Sequence, residues 1–282
     1  MKLNRLFFAI AACSLLAMAS CKKTKTDTTE LEDTFELSAN GGVAENLTQD
    51  AQEVLNEAAM DKGIAGSGWV AGVDGTTGIT SCATVTMTPL IGFPKNIVID
   101  FGTTGCTSPN GILRKGKILV TLTDSLRKAG SIATLNFDNY TVGNHKKEGT
   151  ITWTNTSNTA QKSWTRNCTN GKITNITNGN FWTHSGTQYI VQTAGNSTPN
   201  ILLDDVFSIT GNRTVTKSNG VSRTGTVLTA LQKKTICDNI DKGTYQIVGP
   251  SNTAVIDFGD GTCDNQATIS INGNAPRAFT LR

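Results

Sequence analysis

The sequence predicts a mainly β fold, built of antiparallel hairpin and meander sheets of sandwich or open-barrel type with one short N-terminal helix. Three observations carry that prediction. Apolar and polar residues alternate over long stretches, as in Ile118, Val120 and Leu122 against Lys117, Leu119 and Thr121, the period of a half-buried strand. Asn-Gly pairs separate the alternating runs at Asn170-Gly171, Asn178-Gly179, Asn219-Gly220 and Asn272-Gly273, and this dipeptide supplies the positive φ that tight hairpin turns need. Aromatic residues are only 6% and charged residues 17%, while Thr, Asn and Gly abound, which suits exposed strands and turns.

In chain order, residues 1–20 read first as an export signal. Lys2 and Arg5 precede a short apolar run from Leu6 to Ala17, closed by Met18, Ala19 and Ser20 before Cys21. The run falls short of the roughly twenty apolar residues that cross a bilayer, so it reads as a removable signal. Met18-Ala19-Ser20-Cys21 resembles the lipobox of bacterial lipoproteins, with Met where Leu is commoner. That resemblance implies cleavage before Cys21 and a lipid on its sulfur, and several acyl chains suffice for stable membrane attachment. Lys22 in place of Asp after the cysteine implies outer-membrane sorting.

Residues 21–45 hold few large apolar groups and read as a flexible tether, since they offer little surface to bury. Residues 46–63 read as a short helix. Leu47, Ala51, Val54, Leu55 and Ala58 share one face, Thr48 can cap the start, and Gly63 can stop the end. Residues 64–282 form the β-rich region. Further alternation over Thr150–Thr154 and Thr268–Asn272 supports that reading.

A repeat lies within the β region, in modules at about 80–125 and 235–282 around a middle β segment. Asn96-Ile97-Val98-Ile99-Asp100-Phe101-Gly102 precedes Cys106, and Thr253-Ala254-Val255-Ile256-Asp257-Phe258-Gly259 precedes Cys263. A second cysteine, Cys82 or Cys237, stands about 25 residues upstream in each copy. The frame predicts disulfides Cys82–Cys106 and Cys237–Cys263 and leaves Cys168 free; pairing between the copies, or with Cys168, stays open. Each bridge is worth roughly 3 kcal/mol by chain entropy. No C-x-x-C occurs, and His145 and His184 stand apart, so no zinc site is expected. Exported proteins favour disulfides.

Candidate sites divide between sharp and plain readings. The run Asp257-Phe258-Gly259-Asp260-Gly261 lacks the companion motifs of a kinase. It is similar to the turn of polycystic-kidney-disease-type β-sandwich domains, without the aromatic residue that precedes it there. Asp257, Asp260 and Asp264 are the candidate metal ligands, but their spacing is not that of an EF-hand, and a strand ending in an Asp-Gly turn is preferred; no cofactor is expected. Trp153, Trp164 and Trp182 are candidate ligand-binding residues, a sugar-stacking platform set against ordinary cross-strand core packing. Asp204 and Asp205 are adjacent and so face opposite ways on a strand, unlike a glycosidase pair. His145 and His184 are expected in surface turns, and neither a Gly-x-Ser-x-Gly nor a His-Glu-x-x-His motif accompanies them.

The formal charge of +3 includes Lys2 and Arg5 of the signal, so no concentrated basic footprint points to nucleic acid. The lipobox, the helix, and the C-terminal run from Ala254 to Asp264 followed by Ala267–Gly273 resemble a family of Gram-negative bacterial lipoproteins with C-terminal β-rich repeats. The resemblance implies an envelope protein held to the membrane through lipid on Cys21 and facing periplasm or exterior. It brings no catalytic residues. The expectation is a non-enzymatic structural or binding module for a glycan or an envelope protein; the alternative is an envelope hydrolase acting on glycan or peptide, its site assembled from distant turns.

Overall fold

The computed structural model describes residues 25–66 and 77–282. The signal and Cys21 lie outside the described residues. One helix, α1 (Lys25–Asp61), precedes fourteen strands: β1 (Thr84–Thr88), β2 (Lys95–Asp100), β3 (Cys106–Thr107), β4 (Leu113–Leu122), β5 (Ile132–Val142), β6 (His145–Asn155), β7 (Ser163–Asn175), β8 (Phe181–Ala194), β9 (Val206–Lys217), β10 (Ser222–Lys234), β11 (Lys242–Val248), β12 (Thr253–Asp260), β13 (Gln266–Ile271) and β14 (Arg277–Thr280). All belong to a single antiparallel sheet in which successive strands are neighbours, except that β3 pairs only with β4 beside β2. The fold is thus a meander, and its sheet is one open layer whose end strands, β1 and β14, do not pair with each other.

The sheet curls around α1. Every helix residue from Gly41 to Leu55 is buried, which requires neighbours on all sides. Wall residues from β4 through to the C-terminal Arg282 touch the helix. Bulges produce the curl, because an extra residue bends its strand and sharpens the twist. Two of them are built alike. Gly116 of β4 has φ 74° and faces Asn139 of β5, itself at φ 50°; Gly149 of β6 has φ 104° and faces Asn170 of β7, at φ 51°. A side chain at either glycine would collide with the carbonyl of the facing asparagine, so the register shifts there depend on glycine.

The helix is longer than the 46–63 segment expected from periodicity. It begins at Lys25 and takes in the described part of the stretch expected to be a tether. The physical reason is that the helix is enclosed and not laid on a surface. Its apolar stripe of Leu47, Ala51, Val54, Leu55 and Ala58 packs into the core, while its polar residues reach charged groups on the wall. At about 1.5 Å per residue, α1 spans about 55 Å.

The two cysteine modules sit at opposite edges of the sheet and are closed by Cys82–Cys106 and Cys237–Cys263; Cys168 is free and buried. The repeated strands are β2 and β12. In each, an aspartate accepts a hydrogen bond from the glycine amide two residues on, Gly102 to Asp100 at 2.8 Å and Gly259 to Asp257 at 2.9 Å. Between them Phe101 and Phe258 are buried. The shared motif is therefore an apolar strand end with a side-chain-closed turn.

Candidate binding site

Two polar regions lie within the curled sheet, one around the middle of α1 and one at the end where α1 stops. The first is a set of ion pairs between helix and wall. Glu45 accepts from Arg213 of β9 at 2.5 Å and from Arg166 of β7. Asp50 accepts from Arg114 of β4 at 2.5 Å and from Arg282 at 2.8 Å, with the Tyr140 hydroxyl at 3.3 Å. Glu53 meets Lys233 of β10. Lys147 of β6 donates to Thr48 at 3.0 Å, and Arg166 also donates to Gln49 at 2.8 Å.

Burial works to raise the pKa of Glu45 and Asp50, but paired guanidiniums outweigh it and hold both carboxyls below their usual range. Glu53 has one ammonium partner; burial prevails and pushes it up to about 7. Burial likewise lowers Lys147 to about 8.

His184 belongs to this region, which corrects the expectation of a surface turn. It lies within β8 in the inward phase of Trp182, is 3% exposed, and its ring fills the space over Gly171. Its Nδ1 accepts from Arg213 and lies 3.5 Å from the Cys168 sulfur, so the ring proton sits on Nε2. Burial, then the charges of Arg213 and Lys147, keep it neutral well below the usual histidine range. His145 sits on β6 with its ring edge-on to Trp182 at 6.0 Å.

The second region is formed where β6–β9 meet the last turns of α1. Trp153 and Trp164 stack with centroids 5.8 Å apart, and Phe207 of β9 meets Trp164 edge-on. They border a small cavity of about 30 Å³, which Gln52, Asn56, Arg127, Gln192 and Asp205 complete. That space holds a water or two. The Gln52 side-chain oxygen is buried there without a hydrogen-bond partner. On the outer side, Arg127 and Trp164 also line a cleft of about 390 Å³ with Ala129, Ser157, Asn158, Thr159 and Lys162. Arg127 and Trp164 thus stand between an inner cavity and an open cleft.

Asp205 precedes β9 and is buried, whereas Asp204 lies in the turn before it and is exposed; neither stands on the strand the sequence suggested. Gln192 donates to Asp205 at 2.5 Å, but no guanidinium contacts it, because Arg127 donates instead to the Pro199 carbonyl. Burial pushes Asp205 up to about 7, against the pull of Arg127.

The structure brings Trp153 and Trp164 together and leaves Trp182 elsewhere, buried with its indole N–H unpartnered. Asp257, Asp260 and Asp264 each accept from an amide two residues on. Among the described residues no group of three or more His, Cys, Asp and Glu gathers around a possible metal position. The sequence reading missed Arg127, Lys162 and Gln192, which lack a motif, and the Cys168–His184 contact. Comparison of the chain with protein-family models, with curated proteins and with solved structures finds no match.

Proposed function

We propose that this protein is a lipid-anchored module of the bacterial cell envelope, of outer-membrane type, that binds a glycan and catalyses no reaction. The observation that carries the binding reading is the Trp164 cleft. It combines the edge of the buried Trp164 ring, two cations, and the polar turn of Ser157, Asn158 and Thr159, in which the Ser157 hydroxyl and the Asn158 side-chain oxygen also close the turn, a mixture that fits a polar ring-shaped ligand. The lipobox resemblance at Cys21 and the two disulfides support an exported, membrane-attached chain.

The anchor and the cleft fall at opposite ends. Cys21 lies four residues before α1, so lipid on it holds the N-terminal end of the helix within about 15 Å of the bilayer. That end is fastened to the wall by Glu30–Arg223, Asp33–Lys217 and Glu32–Arg277. The inner cavity, which shares Arg127 and Trp164 with the cleft, is lined by Met60, about 50 Å along the helix from Lys25. The hydrolase alternative draws less support, because His184 is enclosed beside Arg213 and Cys168.

A glycan array probed with the purified full chain in detergent tests the binding reading. Selective signals that Trp164→Ala abolishes are expected, and uniform silence across plant, host and bacterial glycans overturns it. Mass spectrometry of the N-terminal peptide tests the anchor. A diacylated Cys21 is expected; a soluble chain with no fatty acid contradicts it.

A further inference from the structure

Most buried cations in this protein end on an anion. Arg114, Arg166, Arg213 and Lys233 each meet a helix carboxylate. Arg127 and Lys162, half-buried on the wall of the outer cleft, make no ion pair within 4 Å among the described residues. Both donate to main-chain carbonyls of the β8–β9 connection, Arg127 to Pro199 and Lys162 to Asn196 at 3.0 Å. A carbonyl satisfies a donor without neutralising its charge, and Asp205, whose field reaches both cations without touching either, offsets that charge only in part. The two charges also act on each other: Lys162 is lowered first by burial and then by Arg127. Two like charges in one half-desolvated cleft are costly, and a bound anion offsets that cost.

We infer that the cleft selects an acidic saccharide, with its carboxylate, sulfate or phosphate between Arg127 and Lys162 and its sugar hydroxyls along the turn at the Asn158 side-chain amide nitrogen and Thr159. This rests on the reading of the cleft as a glycan site. A guanidinium and an ammonium suit such a ligand, the first by its planar fork and the second as a compact point charge. Trp164 supplies an apolar edge for the ring.

Calorimetric titration of the full chain with tetragalacturonate, a heparin tetrasaccharide and neutral galactotetraose tests the inference. At least one acidic probe is expected to bind about tenfold or more tighter than galactotetraose and to weaken as salt is raised. Lys162→Gln is expected to remove most of that difference, while circular dichroism and the melting curve stay those of the parent. Equal binding of acidic and neutral sugars, or acidic binding indifferent to Lys162→Gln, overturns the inference and leaves the cleft as a neutral-glycan site. Binding of none of the three overturns the inference, and silence on the glycan array as well removes the binding reading beneath it.

Discussion

Glu45 and Asp205 are both carboxylates buried beneath the same curled sheet, and they are pushed in opposite directions. Glu45 accepts from two guanidiniums and is held low. Asp205 has no cation in contact and rises to about 7. Glu53, with a single ammonium, also reaches about 7. Partner number, set against the cost of burial, decides the outcome. The comparison separates two uses of buried charge: around the middle of α1 the guanidiniums of Arg114, Arg166 and Arg213 end on Asp50 and Glu45 and lock helix to wall, whereas at the helix end Arg127 and Lys162 donate to carbonyls and make no ion pair within 4 Å.

The sharpest way to break this comparison is substitution on both sides of it. Glu45→Ala leaves Arg166 and Arg213 buried without their anion and is expected to lose about 3–5 kcal/mol of stability, read from urea unfolding. Asp205→Asn removes a carboxylate that the fold prefers neutral and is expected to gain about 1–2 kcal/mol at pH 8. Equal losses from both variants would erase the distinction.

Next in size are the disulfides at the two sheet edges. Replacing Cys82 and Cys106, or Cys237 and Cys263, by alanine pairs is expected to cost roughly 3 kcal/mol each. Because each bridge closes a loop of similar length, with separations of 24 and 26 residues, the two variants should melt within a few degrees of each other. A bridge whose removal leaves the melting temperature unchanged would show that its module draws stability from elsewhere.

Much of the fold was legible because the strands obey a period of two and Asn178-Gly179, Asn219-Gly220 and Asn272-Gly273 do turn the chain, whereas Asn170-Gly171 lies inside β7 at a bulge and not between strands. The inward phase also held a readable signal about the helix. Extending Ile118, Val120 and Leu122 backwards by twos reaches Gly116 and Arg114; Trp164, Arg166 and Cys168 share one phase, as do Leu231 and Lys233. A cation in phase with core residues calls for a buried anion, and the matching carboxylates stand on α1. The helix itself was obscured because its polar residues look solvated when nothing shows that a wall surrounds them. The cleft was less legible still. Trp153 and Trp164 could be singled out by type, but Arg127, Lys162 and Asp205 stand on three separate connections, and only the curled meander brings them together.

The pH dependence sharpens the comparison further. Glu45 and Asp50 have depressed values in the fold, so their stabilisation is complete above their unfolded values of 4.5 and 3.8 and is lost as pH falls below them. Asp205 has the opposite sign: its contribution is fullest below 3.8 and is lost as pH rises to about 7. Thermal melts are expected to show wild type losing stability below about pH 4.5, with a shallower acid limb in Glu45→Gln.

The smallest expected effect is on binding. Ionised Asp205 faces Arg127 and Lys162, with Asp204 beside it, and partly cancels the positive charge of the cleft. Affinity for an acidic saccharide is therefore expected to fall by about threefold from pH 6 to pH 8, a difference well under 1.4 kcal/mol. Calorimetry at the two pH values reads it, and Asp205→Asn should flatten it. A flat wild-type profile would detach Asp205 from the cleft.

Carboxyl-carbon NMR titration of Glu45 and Asp205 in the full chain measures the contrast most directly. Asp205 should titrate near pH 7 and Glu45 below 4.5. An Asp205 midpoint near 4, or a Glu45 midpoint at or above 4.5, would contradict the division between a carboxylate paired to guanidiniums and one buried without a cation in contact.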